Sequence, residues 1–240
     1  MYNHTIRSFL EQYKNTGELY MKFNVALLLT YFIFLQQNPL TGATLSTSYG
    51  YTTTTKTDSV RCKQIRHKEP SKLRHLNAAQ CNLTGITLIS ADLHGANFYQ
   101  ANLSIANLSG RYNKRTKLTQ ANLEQARLIN AELRWADLRW SNLKQTSLRW
   151  TDMHGANLFG ANLKGADLFG ANLSWAKMVD VVFEDTDLFG ANMYRASLMG
   201  ADLSRADLYK VHLRLAKYNN ATKFPPGFNP EDHEMVLVKK

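Results

Sequence analysis

A five-residue period runs from Cys81 to Tyr218 and never slips its frame. Between positions 83 and 218 it sets 28 central positions, of which 21 are leucine. Phe98, Met153, Met178, Phe183, Met193 and Tyr218 fill six of the others, so Asn113 is the one polar centre. Two residues before most centres stands a small side chain, as at Ala91, Ala96, Ala101, Ala121, Ala161 and Ala201. A period of five matches neither the 3.6 of a helix nor the 2.0 of a strand. It also misses the 3.5 of a coiled coil. It fits a unit made of a short extended segment followed by a bend, repeated as a solenoid. The centre and the residue two before it then point inward, as alternate strand positions do. Large Leu and small Ala together fill a narrow interior, while Asn, Asp, Ser, Arg, Lys, Gln and Gly face solvent.

Units such as Ala161-Asn162-Leu163-Lys164-Gly165 and Ala166-Asp167-Leu168-Phe169-Gly170 resemble the pentapeptide-repeat family. The resemblance covers 81–218 and implies an all-β fold: a right-handed, four-sided parallel β-helix with four units per coil. By that geometry 28 units make about seven coils. At a strand spacing of ~4.8 Å the rod is roughly 34 Å long. Residues 110–115 (Gly-Arg-Tyr-Asn-Lys-Arg) break the pattern by placing Arg111 and Asn113 at inward positions. An unpaired charge is costly in such a core, so this unit is expected to be looped out, with the frame resuming at Thr116 and Leu118.

Open solenoid ends need covers. The segment 71–80 reads as an amphipathic capping helix, with Ser71 as N-cap and Leu73 and Leu76 against the first coil. At the other end, 219–240 reads as a cap and tail. Phe224 and Phe228 are placed to plug the last layer, and Pro225, Pro226 and Pro230 to stop further strand pairing. The Thr222-Lys223-Phe224-Pro225 stretch is similar to the closure of cyanobacterial members of the family.

Residues 1–43 read as an N-terminal extension plus signal peptide, with its apolar region at 23–35. That run is shorter than the ~20 residues of a membrane span but suits an export signal. Lys22 precedes it and Thr41-Gly42-Ala43 offers small residues for cleavage. Translation from Met21 instead of Met1 would give a conventional signal, and an uncleaved anchor is the rival reading. Residues 44–70, rich in Thr, Ser and Lys/Arg, read as a flexible linker. The expected location is the periplasm or thylakoid lumen, with no stable membrane span after cleavage. Export leaves two readings of the cysteines: a Cys62–Cys81 disulfide, or a buried Cys81 thiol with Cys62 free.

The formal charge is +10, but residues 81–218 hold sixteen Lys/Arg against twelve Asp/Glu, so the repeat region is only mildly basic. Taking every twentieth residue gives the columns of each face. One reads His94, Lys114, Arg134, His154, Ser174, Tyr194, Arg214, with Arg115, Trp135, Trp175 and Arg195 beside it and Asp92, Glu132 and Asp152 in relief. Cations interleaved with Trp suit an anionic or aromatic partner. A second stacks Arg149, Phe169, Phe189 and Tyr209 beside Asp167, Asp187 and Asp207, a candidate contact face or dimer interface. Phe159, Val179 and Met199 form an opposite column, and Asn82, Asn102, Asn122, Asn142 and Asn162 an asparagine ladder.

No catalytic set, metal site or cofactor motif emerges, so an enzyme is not expected. His94 and His154, in one column three coils apart, are ~14 Å from each other and cannot share a metal. The expected function is a non-catalytic structural or interaction scaffold with a protein partner. The resemblance also implies an alternative, because gyrase-protecting members imitate DNA with an acidic rod. Positive charge and a signal peptide both oppose nucleic-acid mimicry here. Binding of an anionic polymer by the basic face is the third reading.

Overall fold

The computed structural model describes residues 60–65, 68, 72–110 and 114–239. The N-terminal extension, the apolar run 23–35 and the linker up to residue 59 lie outside the described residues. The repeat unit is explained by where its five N–H groups go. In the unit 161–165, Ala161 N–H turns back to Leu158 O (2.9 Å). Asn162 N–H donates to Ser141 O of the previous coil (3.1 Å). Leu163 and Gly165 donate to Val182 and Glu184 of the next coil (2.9 and 2.8 Å). That leaves Lys164 N–H, which the Asn162 side-chain oxygen accepts at 3.0 Å. Where the residue before a centre is Asn or Asp, as at 17 of the 28 centres, its side chain can cap the donor that no neighbouring coil reaches. The same bond recurs from Asn97 to Tyr99, Asp137 to Arg139 and Asp207 to Tyr209.

Most units end in a turn whose third residue has positive φ, as a type II turn requires. Glycine holds that place at Gly155 and Gly165, but Gln125, Trp135 and Asp180 adopt φ of 58°, 57° and 55° there. A left-handed conformation costs a non-glycine residue about 1–2 kcal/mol, which the ladder above and below must offset. Inside, centres such as Leu123, Leu143 and Leu163 are fully buried. Threonines at the small inward position stay satisfied: Thr146, Thr151 and Thr186 donate to Leu123, Leu128 and Leu163 carbonyls (2.8, 3.0 and 2.8 Å).

Isolated parallel bridges link coil to coil on four sides. Side I runs Asp92–Lys117–Asp137–Asn157–Lys177–Ser197–Lys217. Side II runs Asn77–Asn97–Asn122–Asn142–Asn162–Val182–Asp202–Lys223. Side III runs Asn82–Asn102–Arg127–Ser147–Asp167–Asp187–Asp207, and side IV Thr87–Asn107–Glu132–Asp152–Asn172–Asn192–His212. The spacing is 20 residues except at the last bridge, Asp202–Lys223, where it is 21, and at the four bridges Asp92–Lys117, Asn97–Asn122, Asn102–Arg127 and Asn107–Glu132, where it is 25. One whole unit is thus additional to the coil. Gly110 lies beside its far end, where a Cβ would come 2.7 Å from Arg115 Cα and 3.0 Å from Thr116 N. Arg111, Tyr112 and Asn113 themselves lie outside the described residues.

The N-terminal cover differs from expectation. Residues 72–80 form no α-helix but the opening of the rod, with Leu73 and Ala78 as buried centres and Asn77 bridged to Asn97. Leu73 and Leu76 are three apart, which is a helix repeat but also the step from one centre to the next inward position. The cap is instead α1, Val60–Ile65, inside the segment read as a flexible linker. Cys62 and Ile65, three apart on one helical face, are buried. Cys62 is disulfide-bonded to Cys81, so the reading of a free Cys62 does not hold.

At the C-terminal end Lys223 still pairs with Ala201 and Leu203. Phe224 and Phe228, partly buried against the core, stack at 5.0 Å, and Phe224 meets Tyr218 edge-on at 5.6 Å. Ser204 and the Lys223 ammonium hold the Asp202 carboxyl down to about 2. The prolines interrupt strand pairing without ending it. After the 3₁₀ turn Pro230–His233, β2 (Val236–Leu237) pairs in parallel with β1 (Lys217–Tyr218).

Because the additional unit is one full period, deleting 111–115 joins Gly110 to Thr116 in frame. The variant is expected to fold with unchanged β circular dichroism and a thermal midpoint at or above that of the parent. Loss of the cooperative transition would show that the unit is required for the register.

Candidate interaction surface

Backbone bonding dictates the inward pair and favours an Asn/Asp cap, so the two turn residues are free to vary along each corner. Four corners collect them. The corner between sides III and IV carries Arg149, Trp150, Phe169, Phe189, Tyr209 and Lys210. Phe169 and Phe189 stack at 5.2 Å with planes 1° apart, and Arg149 lies 4.4 Å over Phe169 while pairing with Asp167 at 3.0 Å. Lys210 Nζ stands 5.5 and 5.4 Å over Phe189 and Tyr209.

The corner between sides IV and I carries Arg134, Trp135, His154, Trp175, Tyr194, Arg195 and Arg214. Arg134 pairs with Asp152 at 2.9 Å and Arg214 with Glu234 at 2.9 Å. His154 bonds the Ser174 hydroxyl at 2.9 Å and meets Trp135 edge-on at 5.0 Å. Burial, reinforced by the nearby Arg134 charge, pushes His154 below the ordinary histidine value and keeps it neutral at pH 7. Arg195 caps Trp175 at 4.9 Å and Tyr194 at 5.3 Å.

Both residue groups singled out from sequence therefore border the same side, IV. Their N-terminal extensions do not. The 25-residue step moves His94 to another corner, where it bonds Thr119 at 2.7 Å and meets His75 edge-on at 5.4 Å. Lys114 and Arg115 belong to the additional unit, and Asp92 lies on side I. His94 and His154 thus stand in different columns. The asparagine ladder likewise runs through Asn77, Asn97, Asn122, Asn142 and Asn162, while Asn82 and Asn102 lead to Arg127.

Three features were not legible in the sequence reading. Trp150 and Trp140 sit on corners beside Phe169 (5.0 Å) and Phe159 (5.7 Å). With Trp135 they follow one rule: each indole covers a glycine one coil on, at Gly155, Gly160 and Gly170. A Trp followed by Gly at twenty residues is the signal that identifies them. The third is a glutamine ladder, Gln80–Gln100–Gln125–Gln145, bonded at 3.1, 2.8 and 2.7 Å along the corner between sides II and III. That corner ends in Lys164–Glu184 and Arg205–Glu184 pairs at 2.8 and 3.0 Å.

The rod is two-sided as a result. From Thr116 to Lys223, sides IV and I with their three corners hold nine Lys/Arg, four Asp/Glu and all four Trp. Sides II and III with the corner between them hold five Lys/Arg and seven Asp/Glu. Among the described residues no group of three or more His, Cys, Asp or Glu is placed to hold a metal ion. No helix among them is long and apolar enough to cross a membrane.

The family model for pentapeptide repeats matches residues 71–110 and, in overlapping stretches, 114–214. The chain belongs to the pentapeptide-repeat family. The two matched blocks leave out residues 111–113, within the additional unit. The family is generally non-catalytic, and repeat proteins generally work as interaction surfaces. No curated protein matches the chain. Among solved structures it is similar to HetL, a pentapeptide repeat protein involved in heterocyst differentiation regulation from the cyanobacterium Nostoc sp. strain PCC 7120. Identity is 29%, covering 68% of this chain and 68% of that one, with a TM-score of 0.35. It is also similar to Rfr23 from the cyanobacterium Cyanothece 51142, at 29% identity over 57% of this chain and 90% of that one (TM-score 0.28). For QnrB1, a plasmid-mediated fluoroquinolone resistance protein, the identity is 18% over 71% and 86%, with a TM-score of 0.41.

Gly155→Ala and Gly190→Ala separate the two demands on a corner glycine. Both have positive φ, but a Cβ at 155 comes within 2.3 Å of the Trp135 ring and one at 190 meets nothing within 4 Å. Chemical denaturation should show a loss of about 1 kcal/mol for Gly190→Ala and about 1–3 kcal/mol more for Gly155→Ala. Equal losses, with unchanged Trp emission, would mean the indole does not rest on the glycine.

Proposed function

We propose that this protein is an exported, non-catalytic scaffold that holds a protein partner against side IV and the two ridges bordering it. The observation that carries this is the gathering of exposed Trp, Phe, Tyr and Arg on one half of the rod. Those residue types are enriched in protein interfaces. The opposite corner is instead spent on amide ladders and ion pairs. Aromatic ladders also stabilise the stack, but Trp140, Trp150, Trp175 and Tyr209 remain 41–62% exposed, more than packing between coils alone needs. DNA mimicry is not favoured, because the aromatic half carries an excess of cations.

Export to a periplasm or thylakoid lumen is supported by the Cys62–Cys81 bond, since disulfides persist in oxidising compartments. It is also supported by the apolar run 23–35 with its preceding Lys22. N-terminal sequencing of the protein from its own cells is expected to find a mature chain beginning beyond residue 40. A cytosolic chain with Met1 intact would reject export, and a membrane-bound one retaining 23–35 would make the signal an anchor.

For the surface, a photo-crosslinking amino acid replaces Tyr194 in one variant and Lys164, on the opposite corner, in another. The expected outcome is a discrete protein adduct from position 194 that the purified partner reproduces, with none from 164. Equal labelling from both positions rejects side IV as the partner side.

A further inference from the structure

Side IV has one region where the cations are left over. Arg134, Arg149 and Arg214 each have a carboxylate within 3.0 Å. Among the described residues Arg195 and Lys210 have no such ion pair, although they border the same last levels of side IV from opposite corners. His212 lies between them, exposed, with its ring stacked on Tyr194 at 5.9 Å. Asp187 and Asp207 cap the N–H groups of Phe189 and Tyr209 (2.8 and 2.9 Å), and Glu234 pairs with Arg214.

Several rings in this region have one face in contact with a neighbouring ring or cation. Phe189 stacks on Phe169 with Lys210 nearby, while Arg195 covers Trp175 and, with His212, Tyr194. Ring edges carry the positive end of the aromatic quadrupole. A nucleobase binds such residues by lying on an open ring face. Carboxylates instead meet ring edges and unpaired cations favourably.

The geometry points to an acidic segment of a partner protein as the ligand of this region, its carboxylates set between Arg195 and Lys210 across His212. This rests on the scaffold reading above and adds the partner's chemistry to it. The contacts are exposed, so screening within a Debye length of ~8 Å at physiological salt makes the binding salt-sensitive.

The test uses the purified full chain and a fluorescein-labelled octaglutamate peptide, read by anisotropy at low salt. Octaglutamine and an eight-residue oligothymidylate serve as competing probes. Wild type should bind octaglutamate and not octaglutamine. Arg195→Glu with Lys210→Glu should weaken binding at least tenfold, while the charge-keeping Arg195→Lys with Lys210→Arg retains it. Lys144→Glu with Lys164→Glu, an equal charge change on the opposite corner, should leave it unaltered. Equal weakening by both reversals would overturn the proposal as nonspecific charge attraction. Oligothymidylate displacing the peptide would overturn it in favour of a stacking ligand, and so would absence of octaglutamate binding in favour of another partner chemistry. A crosslinked partner at 194 with no octaglutamate binding rejects the acidic chemistry alone. Equal crosslinking from 164 rejects the scaffold surface itself.

Discussion

Coil stacks on coil here through backbone hydrogen bonds that use three of the five N–H groups in a unit; a fourth closes the turn within the coil, and an Asn or Asp before the centre, where present, caps the fifth. Everything else in the rod follows from closing that account. A buried or half-buried N–H without an acceptor costs about as much as a lost hydrogen bond, and the debt would recur at every corner. The repeat therefore tolerates Leu, Met or Phe at the centre, and Ala, Ser or Thr two residues before. Between them it favours Asn or Asp, present in 17 of 28 units, but also accepts residues such as Lys117, Arg127 and Val182.

The same account explains where function can reside. Two positions per unit are held by the core and a third is most often a cap, which leaves the two turn residues to vary. The second of these must accept positive φ, a demand met by glycine or by a residue whose neighbours stabilise it, as when Trp135 lies over Gly155. Exposed aromatic residues and unpaired cations accordingly appear in ridges along corners. In this chain the ridges crowd one half of the rod after the additional unit, and the first coils carry glutamine and asparagine ladders instead.

The fold was readable because a fixed period has few physical solutions, and the additional unit was readable because Arg111 and Asn113 fall on inward positions. The errors share a cause in spacing. Leu73 and Leu76 suit both a helical face and two adjacent inward positions of the rod, and only the bridge from Asn77 to Asn97 separates them. The every-twentieth columns assumed that each coil has the same length. A coil of 25 residues sent His94, Lys114 and Asp92 off the basic corner and moved Asn82 out of the asparagine ladder. The glutamine ladder crosses that same step, so no single spacing finds it.

By itself the sequence determined the period, the inward and outward positions and hence a solenoid, because hydrophobic periodicity and backbone satisfaction act within each unit. It also placed the candidate aromatic and cationic residues at turn positions. Tertiary structure alone decided which of those turns share a corner, that α1 carries Cys62 to Cys81, and that Arg195 and Lys210 end up flanking one side. Those relations depend on coil length, and coil length is a property of the stack: a neighbouring coil must supply each acceptor before the next corner can form.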